Sequence, residues 1–159
     1  MKICEEFYIN GEWVKPINEL KTLDVINPAT EEVFGRIALG DSADVDAAVD
    51  AAYEAFETFS LVSVDDRVAL LEKILEVYKG KYDEIAETIS SEMGAPIGLS
   101  KAAQAATGLG HFSTALETLK NYNFEEVKGS ALIRKEPIGV VGMITPVSYT
   151  HLTLPTMEL

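Results

Sequence analysis

Cysteine is nearly missing: Cys4 is the single one among 159 residues. No disulfide can close within the chain, and no cysteine-rich metal cluster can assemble. A nucleophilic thiolate needs a positive, shaped pocket. Cys4 is followed by Glu5 and Glu6, so it reads as an ordinary residue near the N-terminus. Basic residues are scarce as well, 13 Lys and Arg against 26 Asp and Glu, for a formal net charge of −13. A phosphate-binding face needs the opposite balance, which excludes nucleic acid as a partner. No apolar run approaches the roughly 18 residues of a membrane helix. The opening Met1-Lys-Ile-Cys-Glu-Glu6 turns acidic too early for a secretory signal. These absences describe a soluble protein with no membrane partner, expected in the cytoplasm.

What is present suits a folded chain. Apolar residues make up 47%, enough for a core, and the length fits one domain or a piece of a larger one. The charge is uneven: residues 1–80 hold 7 basic and 17 acidic side chains, a net of −10, and residues 81–159 hold 6 and 9, a net of −3. Eight acids and no Lys or Arg lie between Asp41 and Asp66. They lack the acid spacing and central Gly of a calcium loop, so they read as a solvated helix face.

Strands come first. Tyr8-Ile-Asn-Gly-Glu-Trp-Val14 sets Asn-Gly between apolar pairs, a hairpin signal. Leu23 to Pro28 is a second strand ending at Asn-Pro, and Glu32 to Ala38 a third; together they suggest a small antiparallel sheet. Helices follow. Asp41 or Ser42 can cap the first, with Val45, Ala48, Val49, Ala52 and Phe56 as its stripe. The second begins near Ser63, whose hydroxyl can accept from the Asp66 amide, and turns Val68, Leu71, Leu75 and Tyr78 inward. The third runs from about Tyr82 to Met93, with Ile85, Ala86 and Ile89 inward, Gly94 in the αL cap position and Pro96 blocking continuation. Ile97 to Asn121 reads as one long helix with Leu99, Ala102, Ala103, Ala106, Leu109, Leu116 and Leu119 on one face. Gly108 and Gly110 imply that another element crosses close by, a phosphate role being weak because no strand precedes them. His111 has no second ligand at helical spacing and reads as a packed or surface residue.

Ser130 to Lys135 reads as an exposed strand. Ile138 to Ile144 is wholly apolar or Gly, the pattern of a strand buried on both faces of a parallel sheet. Such strands end at crevices where cofactors bind. The resulting order is small sheet, four helices, strand, buried strand, an α/β class that looks like the first third of a larger enzyme.

Tyr8-Ile-Asn-Gly-Glu-Trp-Val14, Ile26-Asn-Pro-Ala-Thr-Glu31, Asp44 to Ala52, Arg67-Val-Ala-Leu-Leu71, Glu92-Met-Gly-Ala-Pro96 and Glu136 to Pro146 resemble, in order and spacing, the N-terminal region of the NAD(P)-dependent aldehyde dehydrogenase superfamily. The resemblance covers residues 7–146. It implies a small sheet, four helices and the first strand of a Rossmann-like cofactor domain at 138–144, with an oligomerisation-arm strand near 130–135 and a homo-oligomeric full-length parent. It implies an aldehyde substrate and NAD or NADP. A cysteine thiolate attacks the aldehyde, a thiohemiacetal forms, hydride leaves for the nicotinamide, and a Glu-activated water releases the acid. Ile144, Thr145 and Pro146 match the family's Ile-Thr-Pro and would line the cofactor through backbone and packing. The family's oxyanion Asn falls on Ser148 here, a poor substitute for a fixed amide donor. The nucleophilic Cys, the general-base Glu, the ribose Lys and the Gly-rich cofactor turn have no counterpart in 159 residues. No catalytic residue is therefore assigned, and the chain is expected to be inactive.

Residues 147–159 lose the family pattern, and 146–156 resemble translated transposase adapter used in sequencing libraries. The expected division is 1–146 as the N-terminal part of the dehydrogenase domain and 147–159 as an artefactual tail. A different class of reading is a non-catalytic helical interaction module derived from the same region. A downstream Cys motif in the gene would favour the enzyme, and a true stop codon after Leu159 the module.

Overall fold

The computed structural model describes residues 2–144. Strand β1 (Lys2–Cys4), the hairpin β2 (Phe7–Ile9) and β3 (Glu12–Val14), and strands β4 (Lys21–Asn27) and β5 (Glu32–Leu39) precede the helices. The N-terminal strands form two sheets rather than one. β2 and β3 pair only with each other, in the register Tyr8↔Trp13. β4 and β5 pair antiparallel, and β1 adds parallel to β5 with Ile3↔Arg36. The expected wholly antiparallel sheet is thus corrected. Three residues of β1 are too short to show alternation, and their partner lies more than thirty residues away. The β4–β5 turn is as the Asn-Pro signal reads: Asn27 Oδ1 accepts from the Ala29 amide at 2.9 Å, and Glu31 takes a positive φ of 60°.

Helix α1 (Ser42–Phe59) opens on Asp41, which settles the choice between Asp41 and Ser42. Its side chain accepts from the Ala43 amide, while Asp44 reaches back to the Asp41 amide in a capping box. The stripe read on α1 is not buried: Val45 and Val49 are exposed. Among the described elements β2 packs against this helix, and a three-residue strand cannot cover a face 18 residues long. Helix α2 (Val64–Gly80) is capped by Ser63 as read, with Asp66 N donating to Ser63 Oγ at 3.1 Å. Its Leu75 is buried, and the face carrying Leu71 and Tyr78 meets α5. Helix α3 (Tyr82–Met93) buries Ala86 and ends at Gly94, in the αL conformation with φ 69°.

The stretch from Ile97 is not one helix. A three-residue turn α4 (Ile97–Leu99) leads into a π turn (Ser100–Gln104), and only then does α5 (Ala105–Asn121) run on. The π turn admits an extra residue, with the Ala105 amide bonding back to Ser100 O. It shifts the buried face: Leu99, Ala102 and Ala103 are exposed, while Ser100, Ala105 and Gly108 are buried. Two tyrosines from outside hold the wide turn. Tyr78 Oη donates to Ala105 O at 2.9 Å, and Tyr82 Oη donates to Lys101 O.

A second hairpin, β6 (Glu125–Lys128) and β7 (Ala131–Arg134), turns at Gly129 with φ 63° and pairs Glu126↔Ile133. Arg134 Nε meets Glu125 Oε1 at 2.8 Å across it. The expected strand at 130–135 is present; its partner β6 was not read, because Glu125-Glu-Val-Lys128 shows little apolar alternation. The hairpin root is held by Arg67, which donates twice to Val62 O and lies over the Phe124 ring.

The run at 138–144 departs most from its reading. It forms no strand, and Ile138 and Ile144 are 95% and 96% exposed. A buried parallel strand takes all its backbone partners from neighbouring strands, and the described residues provide none beside it.

Candidate functional site

Of the residues expected to line a cofactor, Ile144 is described, and it stands in solvent. Thr145, Pro146 and Ser148 lie outside the described residues. Approaching Ile144, Gly139 takes φ 132°, and neither Gly139 nor Gly142 has an atom within 4 Å of where a Cβ would stand. A dinucleotide site needs a turn pressed closely against the ligand and a helix N-terminus facing it. The described residues supply no such cradle around 138–144, so they do not by themselves fit a nicotinamide cofactor.

Elsewhere the polar groups form structural pairs. Among the described residues no three His, Cys, Asp or Glu could hold a metal ion, and no helix is long and apolar enough to cross a membrane. Cys4 is exposed, as is His111. Of the two glycines expected at a crossing, Gly108 is buried and Gly110 faces open space. The perturbed ionisable groups each have a local cause. Hydrogen bonding to Asp24 holds Arg36 more firmly protonated, and Asp83 and Glu72 do the same for Lys101 and Lys120. Lys73 lowers Glu76. Burial raises the Tyr78 hydroxyl while it donates to Ala105 O. None of these groups lines the grooves beside α1.

Two grooves lie between β2–β3 and α1. One groove of about 350 Å³ is lined by Tyr8, Asn10, Ala48, Ala52 and Ala55, and a neighbour of about 440 Å³ by Phe7, Gly40, Asp44 and Val45. Glu6 and Asp44 are the acids of the second groove, and Asp44 is the buried one. Its two oxygens are engaged by the Ile17 and Asp41 amides, each at 2.9 Å. Both hydrogen bonds commit it to the fold.

The aldehyde dehydrogenase family pattern matches residues 13–155. A protein from a bovine strain of Staphylococcus aureus, described as an aldehyde dehydrogenase, is 51% identical over 139 residues, 87% of this chain and 29% of that protein. Among solved structures, an aldehyde dehydrogenase of Bartonella henselae is 41% identical with a TM-score of 0.78, over 82% of this chain and 28% of that one. A mutant aldehyde dehydrogenase of Pseudomonas syringae, bound to NAD+ and octanal, is 39% identical with a TM-score of 0.82, over 85% and 28%. The chain spans less than a third of the length of these relatives. The described α/β arrangement corresponds to that part of their fold.

Proposed function

The chain belongs to the aldehyde dehydrogenase family, and from that premise we propose that the whole protein oxidises an aldehyde to a carboxylic acid with NAD or NADP. The observation that carries this reading is the likeness to the Pseudomonas syringae enzyme, bound to NAD+ and octanal, at 39% identity and a TM-score of 0.82. The cofactor supplies the hydride acceptor. Ile144, Thr145 and Pro146 contribute backbone and packing at the cofactor once further strands flank residues 138–144. A cysteine and a glutamate outside these 159 residues carry the covalent and hydrolytic steps, and the 159-residue chain alone is inactive. The strand Ala131–Arg134, exposed along its length, belongs to a homo-oligomerisation arm, and the enzyme works in the cytoplasm. The family pattern extends to residue 155, so the proposal that 147–159 is adapter-derived rests on the residues of that segment alone.

The test begins with the source DNA beyond codon 146. Host sequence there encoding a cysteine-containing motif supports the reading, and the protein it encodes is then mixed with an aliphatic aldehyde and NAD+ or NADP+. Reduced nicotinamide should accumulate with the longer protein and not with the 159-residue chain. Failure of the longer protein across a panel of aldehydes, or turnover by the short chain, would reject the proposal.

A further inference from the structure

Asn10 and Gly11 are the two-residue turn of the β2–β3 hairpin, with positive φ at both, 53° and 82°. Both are exposed, and the space that a Cβ on Gly11 would enter is empty. The aldehyde chemistry proposed above uses neither residue. In an unfolded chain Asn followed by Gly is vulnerable, because no Cβ on the second residue hinders its nitrogen from reaching the Asn carboxamide. We propose that Asn10 is a latent deamidation site that the hairpin turn holds closed.

The step is closed in atoms. The Gly11 nitrogen loses its proton and attacks Cγ of Asn10. The N–Cγ bond forms, the Cγ–Nδ2 bond breaks, and ammonia departs with the proton. Water then opens the cyclic imide, at Cγ to give aspartate or at the backbone carbonyl to give isoaspartate. No oxidant or reductant takes part. Ring closure requires the Gly11 nitrogen and the Asn10 Cβ to lie on the same side of the Asn10 Cα–C bond. Positive φ at both turn residues is the geometry of a type I′ turn. In that left-handed conformation the nitrogen lies nearly opposite Cβ, so the ring cannot close until the turn opens.

The consequence reaches past the turn. Aspartate leaves the backbone length unchanged. Isoaspartate adds a methylene to it, and a two-residue loop cannot absorb that while keeping Tyr8 opposite Trp13. The ring contact between them, 5.2 Å between centroids, depends on that register, and so does the hairpin side of the groove, lined by Tyr8 and Asn10.

The experiment compares the 159-residue chain with a synthetic peptide of residues 6–16 in one mildly alkaline buffer. Peptide mass spectrometry follows the replacement of NH2 by OH at residue 10, and Asn10→Gln in both molecules assigns the signal. Conversion is expected in the peptide, at least about tenfold slower in the chain, and at the peptide's rate when the chain is held in urea. Equal rates in chain and peptide without urea would overturn the proposal, and so would a peptide that does not convert.

Discussion

Asp44 joins two stretches of chain that are distant in sequence. One carboxylate oxygen accepts from the Ile17 amide and the other from the Asp41 amide, with only 6% of the residue exposed. Removing it orphans both donors and the helix cap together, so Asp44→Ala should cost about 1–3 kcal/mol. Asp44→Asn, which keeps one acceptor oxygen, should lose less. Urea unfolding followed by circular dichroism measures both, and an alanine variant within about 0.5 kcal/mol of the parent would remove the capping role. Its neighbour Asp41 carries a pH dependence. The Asn18 amide, first, and the Ala43 backbone N–H hold the Asp41 carboxyl below its ordinary 3.8. A depressed folded-state value means that its contribution is complete above the unfolded value and is lost as pH falls through the folded one. The cap therefore weakens only in acid, below the ordinary aspartate range. Asn18→Ala should move the Asp41 titration upward in an NMR experiment; an unmoved titration would show that Asn18 does not set it.

Between elements, Gly94 gives the sharpest expectation. It sits in the left-handed region at φ 69°, and a Cβ there would stand 2.9 Å from Cγ of Pro28, in the β4–β5 turn. Gly94→Ala meets both conformational strain and a clash with a rigid ring, so a loss of about 1–3 kcal/mol is expected, read as a lower urea midpoint. A midpoint unchanged by the substitution would mean that the α3 C-terminus and that turn are not packed together. Gly94 also shows what the sequence makes legible. Its cap, the Ser63 cap, the Asn10-Gly11 turn and the Asn27-Pro28 turn are local devices, and each was readable from a few adjacent residues. The π turn at Ser100–Gln104 was not. Its difference from α-helix is one residue of register, and its supports are hydroxyls of Tyr78 and Tyr82, on two other helices. β1 is no more legible, since its partner β5 lies far along the chain. The candidate site was legible only as a pattern, Ile138 to Pro146; the described residues end at Ile144 and form no strand from 138 on.

Across the molecule, the described residues leave much of their apolar surface uncovered. Ile3, Leu23 and Ile26 on the sheet, Val45 and Val49 on α1, and Ile138, Val141, Met143 and Ile144 in the extended run are all exposed. Ala38, Leu75, Ala86 and Ala105 are the apolar residues buried among those described. Exposed apolar groups gain roughly 25 cal/mol for each Å² removed from water, so contacts between copies are favoured wherever charge permits. Charge opposes them: the net of −13 makes copies repel at neutral pH, and the repulsion vanishes near the sequence pI of about 4.5. The two terms together predict concentration-dependent association of the 159-residue chain at neutral pH, enhanced when salt screens the repulsion and steepest toward pH 4.5. Light scattering coupled to size exclusion measures it across a salt and pH series. Polar substitutions at Ile138, Val141 and Ile144 should reduce the association while leaving helix content unchanged, because those side chains are largely exposed and lie outside the helices. A chain that stays monomeric through the series and melts in one cooperative step would show that this apolar surface is satisfied within a single copy.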